Sequence, residues 1–224
     1  MAEQLSFDLP ARTALGRDDF FVSSSNALAV AMIDGDWPGG KLLLSGPVKS
    51  GKTHLAHVWA AQSGAQIVPA ADLTEDRVPA LALGPVVVED VDRIADDPTA
   101  QAALFHLHNL VLASGHRLMM TGRGAPHRWG LSLPDLQSRI QGTQVAELQP
   151  PDDLLLSALL AKLFNDRQIM PKPNVIPYLV GHMDRSFEAA TAIVEELDKL
   201  SLREARNMSR PLAVRLLGKA AEKD

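Results

Sequence analysis

The spacing of hydrophobic and polar positions changes character near residue 150. Before that point, short continuous apolar runs alternate with stretches of helical period. Lys41-Leu-Leu-Leu-Ser45 is one such run and leads into a glycine-containing loop. Gln66-Ile-Val-Pro69 is a weaker one. Pro85-Val-Val-Val-Glu-Asp90 is strong, β-branched and closed by two acids. His116–Thr121 and Val145–Leu148 complete the set. Between them Ser23–Ile33, Thr53–Ser63 and Pro98–Ser114 read as helices, the last with Leu104, Leu107, Leu110 and Val111 at helical spacing. In the first, Ser23-Ser-Ser-Asn26 is the expected cap, and Gly35, Pro38, Gly39 and Gly40 break the chain after it. Continuous apolar strands separated by helices predict an α/β domain whose parallel sheet is covered on both faces.

After Gln149-Pro150-Pro151 the alternation stops and only helical patterns follow. Asp152 or Asp153 caps a helix to about Arg167, and Pro173-Asn174 opens a second through Val180. Asp184 opens a long amphipathic helix to about Arg206. Pro211 stands at the start of a last one, Leu212 to about Ala221. Three regions are expected: a flexible polar tail at residues 1–18, the α/β domain at 19–149 and a small all-helical domain at 150–224.

Composition narrows the function classes. The 224 residues are 46 % hydrophobic and 22 % charged, as in an ordinary globular protein. A net charge of −5 argues against a domain whose main task is coating nucleic acid. Aromatics at 4 % are too few for a base-stacking platform. There is no cysteine, hence no disulfide or thiolate metal site. No apolar run is long enough to span a bilayer and no signal-peptide pattern opens the chain, so a cytoplasmic location is expected.

The chemistry concentrates in a few segments. Gly46-Pro47-Val48-Lys49-Ser50-Gly51-Lys52-Thr53 fits the phosphate-binding pattern G-x-x-x-x-G-K-[ST], and it lies between a strand and a helix as that pattern requires. Its glycines allow a tight turn and close approach to oxyanions. Amide N–H groups and the helix N-terminus face the phosphates. Lys52 reaches the terminal phosphates and Thr53 offers its hydroxyl to Mg²⁺. ADP or ATP with Mg²⁺ is the expected ligand. Val86-Val87-Val88-Glu89-Asp90 reads as a Walker B strand, with Glu89 holding Mg²⁺ through water and Asp90 polarising the attacking water. The plain alternative is a strand end with solvated acids. Thr121, ending the next strand, suits a sensor between these acids and the γ-phosphate, though Thr also ends strands by propensity.

Together these segments resemble the AAA+ ATPases, with Arg139 and Arg185 as further arginines of that pattern. Gly51-Lys52-Thr53-His54-Leu55 resembles the G-K-T-H-L of the DnaA replication initiators. Thr121-Gly-Arg-Gly-Ala-Pro126 is similar to their T-S/G-D-R-x-P stretch, and Leu136-Gln-Ser-Arg139-Ile140 to the box that carries their arginine finger. Phe20-Phe21-Val22 with Asn26 resembles the segment beside the adenine. The resemblance covers about residue 19 to the end. It implies a five-stranded parallel sheet in the order 5-1-4-3-2 with a helical lid, and it assigns Phe21, Val22, Asn26, the loop 46–53, His54 and Arg185 to the nucleotide. It implies Arg139 as an arginine finger acting in trans.

Two departures bear on the chain's own hydrolysis. Glu89 stands where Asp is usual, and Arg123-Gly124 stands where Asp-Arg is expected. Both argue for nucleotide binding with weak or no intrinsic ATPase. A DnaA-like core with a lid and no DNA-binding domain after it resembles the Hda regulators, so no sequence-specific DNA binding is expected. Gln4-Leu5-Ser6-Phe7-Asp8-Leu9 is similar to peptides that dock on the bacterial sliding clamp, with Gln4 hydrogen bonding and Leu5, Phe7 and Leu9 filling an apolar groove. The implied partners are the sliding clamp, DnaA and further copies of the chain. A DnaC-like helicase loader and a DnaA-paralogue adaptor are the alternatives.

Overall fold

The structure is a computed structural model and describes residues 21–204 and 208–221. The α/β part holds strands β1 (Lys41–Gly46), β2 (Gln66–Pro69), β3 (Val86–Glu89), β4 (Leu118–Arg123) and β5 (Gln144–Glu147). Its helices are α1 (Ala27–Asp34), α2 (Lys52–Ser63), α3 (Val78–Leu81), α4 (Pro98–Ala113) and α5 (Pro134–Gln141). Four helices follow: α6 (Asp153–Asp166), α7 (Val175–His182), α8 (Phe187–Glu204) and α9 (Arg210–Ala221).

All strand pairings are parallel, and the order β2-β3-β4-β1-β5 is the expected one read from the other edge. Central β1 pairs with β4 from Lys41↔Leu118 to Gly46↔Arg123, and with β5 from Leu42↔Gln144 to Ser45↔Glu147. The continuous apolar runs divide by pleat. Leu43, Val86, Val88, Leu118 and Met120 face one layer with Leu104 and Leu107 of α4 and Leu136 of α5. Leu42, Leu44, Val87 and Met119 face the other with Ala29 of α1 and Leu55 and Trp59 of α2. Each face has its own helices, so neither needs polar positions.

The last four helices enclose a separate cluster that includes Leu156, Leu160, Phe164, Leu179, Val194, Leu197 and Leu212. Among the described residues no helix is long and apolar enough to cross a membrane.

Local details depart from expectation at helix starts. Of the two candidate caps for α6, Asp152 is the one used: its Oδ1 accepts the Leu155 N–H at 2.8 Å. Asn26 precedes α1 but does not cap it by its side chain. Its Oδ1 accepts from the Ser23 N–H at 2.9 Å and its amide donates to the Phe21 carbonyl at 3.0 Å. The long helix α8 begins at Phe187 rather than at Asp184, because Ser186 Oγ accepts the Ala189 N–H at 3.0 Å and takes the cap role. The second helix of this region runs two residues beyond Val180, to His182. Two helices that the apolar pattern did not assign, α3 and α5, are short, four and eight residues.

Candidate functional site

β1 ends in Gly46 and α2 starts at Lys52, so the loop between them presents α2's first amides at the C-terminal edge of the sheet. The first intrahelical bond is Leu55 N–H to the Gly51 carbonyl at 2.9 Å, which leaves the N–H groups of Lys52, Thr53 and His54 ahead of the ladder. Gly51 has φ +93°, a left-handed conformation that side-chain-bearing residues rarely adopt. Gly46 is needed for a different reason. A Cβ there would sit 2.7 Å from Ser50 Oγ and 2.8 Å from the Leu148 carbonyl oxygen. Lys49 also has positive φ, +64°, and carries the strain of that region without being glycine.

Lys52 is buried, and its ammonium donates to the carbonyls of Gly46 at 3.0 Å and Pro47 at 2.6 Å. Burial lowers its pKa, Asp90 and Asp92 act to raise it, and Arg123 adds to the lowering. The cation is thus held by two carbonyls of the loop itself. Ser50 Oγ is buried without a hydrogen-bond partner. Thr53 is exposed at the first turn of α2, and Pro47 and Val48 are exposed in the loop.

The acids at the end of β3 take different environments. Glu89 Oε1 is buried with no partner, while Oε2 lies 3.8 Å from His57 Nε2. An orphaned buried carboxylate oxygen suits a water or a hydrated cation, since a buried acceptor left unmade is costly. Among the described residues no group of three or more His, Cys, Asp and Glu is set to hold a metal ion. Thr53 and Glu89 are the residues that would hold Mg²⁺ together with a bound phosphate. Asp90 adopts φ +56°, and its N–H donates to Thr121 Oγ1 at 3.1 Å. Its carboxylate lies 3.2 Å from Arg93 Nε. Arg123 is held by Asp92, whose Oδ1 accepts the Arg123 N–H at 3.0 Å.

Phe21 and Val22 are exposed ahead of α1, and Val22 joins Val30, Ile33, Leu55, Val58 and Trp59 around a cavity of about 190 Å³ between α1 and α2. Asn26 is buried and holds the turn to Phe21. The Arg185 Nε donates to the Pro151 carbonyl at 3.1 Å and its Nη2 to Asp153 Oδ1 at 2.5 Å. Two neighbours of the loop went unrecognised in the sequence. The Phe187 ring comes within 2.9 Å of the place where a Gly51 Cβ would be, and it stacks on His54 with centroids 6.0 Å apart. Glu188 pairs with Lys49 at 3.3 Å. Nothing in the local sequence around Phe187 signals a contact with a loop more than a hundred residues earlier.

Arg139 lies in the last turn of α5, exposed, at the opposite end of the sheet. Its carbonyl accepts from Lys41 Nζ at 3.1 Å, and Lys41 is the first residue of β1. Gln4, Leu5, Ser6, Phe7 and Leu9 lie outside the described residues.

No protein-family profile matches the chain. The fold is found in solved structures at low identity. Domain III of the Thermotoga maritima replication initiation protein DnaA aligns over 92 % of this chain and 96 % of its own, at 18 % identity and TM-score 0.75. AMPPCP-bound DnaA from Aquifex aeolicus aligns over 82 % of this chain and 64 % of its own, at 18 % identity and TM-score 0.65. A Thermotoga maritima RuvB variant aligns over 84 % of this chain and 64 % of its own, at 16 % identity and TM-score 0.63. The chain has the fold seen in DnaA domain III and RuvB.

Proposed function

We propose that this chain is a nucleotide-binding regulator of DNA replication initiation that stimulates ATP hydrolysis by DnaA. The observation that carries this reading is the separation of the loop 46–53 from Arg139. They stand at the two ends of β1, six residues that span roughly 16 Å at about 3.3 Å per residue. With its backbone at that end of β1, the exposed Arg139 is available to a neighbour's phosphate loop rather than to the chain's own.

In this reading the loop holds ADP or ATP. The amides of Lys52, Thr53 and His54 and the Lys52 ammonium take the phosphates, and Thr53 and Glu89 hold Mg²⁺, which when bound neutralises charge between the phosphates. Asp90 and Thr121 stand next to each other to orient water, but the chain's own turnover is slow because Glu89 replaces the usual Asp. The nucleotide sets conformation and assembly. The tail Gln4–Leu9 tethers the protein to the sliding clamp on DNA. Arg139 then enters the nucleotide site of ATP-bound DnaA and stabilises charge developing on the transferred phosphoryl group, an effect worth roughly 10³–10⁵ in rate for such fingers.

The test is hydrolysis of DnaA-bound ATP with clamp loaded on DNA. Arg139→Ala and the double variant Gln4→Ala/Leu5→Ala should each lose most of the stimulation. If both stimulate as the wild type does, the reading fails. Turnover by the chain alone that rises with DNA would favour a helicase-loader ATPase instead. For the nucleotide itself, Lys52→Ala should bind a fluorescent ADP analogue far more weakly than the wild type.

A further inference from the structure

We propose that Lys41 is a positioning residue for Arg139: it clamps the end of α5 to the first residue of β1 and thereby aims the arginine outward. This rests on the reading of Arg139 as a trans-acting finger.

α5 has eight residues, too short to be stable as an isolated helix, so its direction is set by what anchors it. Leu136 and Ile140 are buried and fix one face. The C-terminal carbonyls of a helix lack intrahelical partners and must be satisfied from elsewhere. The Ser138 and Ile140 carbonyls receive the N–H groups of Gly142 and Thr143, both at 3.0 Å. The Arg139 carbonyl receives two side chains instead: Lys41 Nζ at 3.1 Å and Thr143 Oγ1 at 2.8 Å. The backbone of the one residue whose side chain must project is therefore pinned from the central strand and from the turn into β5. A cation at a helix C-terminus is also favoured by the helix dipole.

The local charges act in the same direction. Among the described residues neither Lys41 nor Arg139 has an ion-pair partner. Burial lowers the Lys41 pKa, and the nearby Arg139 charge lowers it further. The two cations repel, so conformers in which the guanidinium folds back over Lys41 are disfavoured. His108, buried beside them, stays uncharged at neutral pH and offers no anion to draw either cation inward. The arginine is left solvent-facing with its backbone fixed, an arrangement that suits insertion into a neighbouring subunit.

The experiment measures DnaA ATP hydrolysis as a function of the concentration of this protein, for wild type, Lys41→Met, Lys41→Arg, Thr143→Val and Arg139→Ala. Misaiming a reacting group by about 1 Å costs roughly 10²-fold. Lys41→Met should therefore lower the maximal stimulated rate by about 10- to 100-fold, with the half-saturating concentration within about threefold of wild type. Lys41→Arg should restore most of the rate. Thr143→Val, which removes the other donor, should give the same rate loss in milder form and keeps the test open if Lys41→Met does not fold. The proposal is overturned if Lys41→Met and Thr143→Val both stimulate normally while Arg139→Ala does not. It is equally overturned if Lys41→Met raises the half-saturating concentration and leaves the maximal rate intact, since Lys41 would then be a docking contact. If Arg139→Ala stimulates at the wild-type rate, the finger reading itself falls, an outcome distinct from either.

Discussion

The carboxylate of Glu188 lies 3.3 Å from the ammonium of Lys49, so the first turn of α8 is tied to the loop that would hold phosphate. The ion pair is exposed on both sides, 45 % and 69 %, and pairs of that kind contribute about 0–1 kcal/mol. The Phe187 ring beside it, packed on Gly51 and His54, makes the contact that water does not screen.

Glu188→Ala should accordingly leave the melting temperature nearly unchanged. Gly51→Ala should not, because a Cβ at φ +93° is strained and meets the Phe187 ring at 2.9 Å. A cost of roughly 1–3 kcal/mol is expected from the backbone alone, with nucleotide affinity lost as well. Calorimetry on both variants checks the order; equal losses would place the weight on the ion pair instead.

Thr121 is 1 % exposed, and its Oγ1 accepts the Asp90 N–H. Thr121→Val keeps the shape and removes the acceptor, which leaves a partly buried N–H at a left-handed residue. The expected loss is about 1–3 kcal/mol in denaturant unfolding. Thr121→Ser keeps the acceptor and should recover most of it. A Thr121→Val protein as stable as the wild type would mean that water replaces the hydroxyl.

His108 is buried with Nε2 unpartnered, and its pKa is pushed down to about 4 from 6.5. Burial is the main cause; the Asn109 hydrogen bond opposes it, and the charges of Lys41 and Arg139 add to the lowering. The unfolded chain takes up a proton here below pH 6.5, whereas the folded chain does not until pH is near 4. The linked stability is thus whole above 6.5 and falls away by about 3 kcal/mol as pH drops toward 4. Urea midpoints at about pH 7 and about pH 4.5 should converge more closely in His108→Leu than in the wild type. Parallel declines in the two proteins would exclude this origin.

Asp152 joins two parts of the chain. Burial opposes its ionisation, but hydrogen bonds from Leu155, Ser23, Ser24 and Ser25 outweigh that and lower its pKa. Ser24 Oγ donates at 2.8 Å and Leu155 N–H at 2.8 Å. Asp152→Ala should cost about 1–2 kcal/mol, the loss of a helix cap plus its cross-chain bonds. Asp153→Ala removes only an exposed pair with Arg185 and should cost about 0.5 kcal/mol or less. The stabilisation from Asp152 is present at neutral pH and disappears in acid as its carboxyl protonates. Thermal melts of the two variants at neutral and acidic pH check both the size and the sign.

The sequence by itself determined the parallel sheet, because Leu42–Leu44, Val86–Val88 and Leu118–Met120 are apolar on both pleat faces and only a sheet covered twice can bury them, while its strand order followed from the resemblance alone. It also determined the loop 46–53, whose glycines, lysine and threonine are local in sequence and tied to one strand-to-helix turn. What lies far apart along the chain was decided by the tertiary structure. Phe187 and Glu188 reach the loop only because the last four helices pack where they do. Arg185 pairs with Asp153, a choice among nearby anions that spacing does not encode. Lys41 meets the Arg139 carbonyl across 98 positions because β1 begins where α5 ends. Local patterns fix backbone conformation and burial; side-chain partners across the fold depend on which ends of which elements converge, and that is a property of the packed molecule.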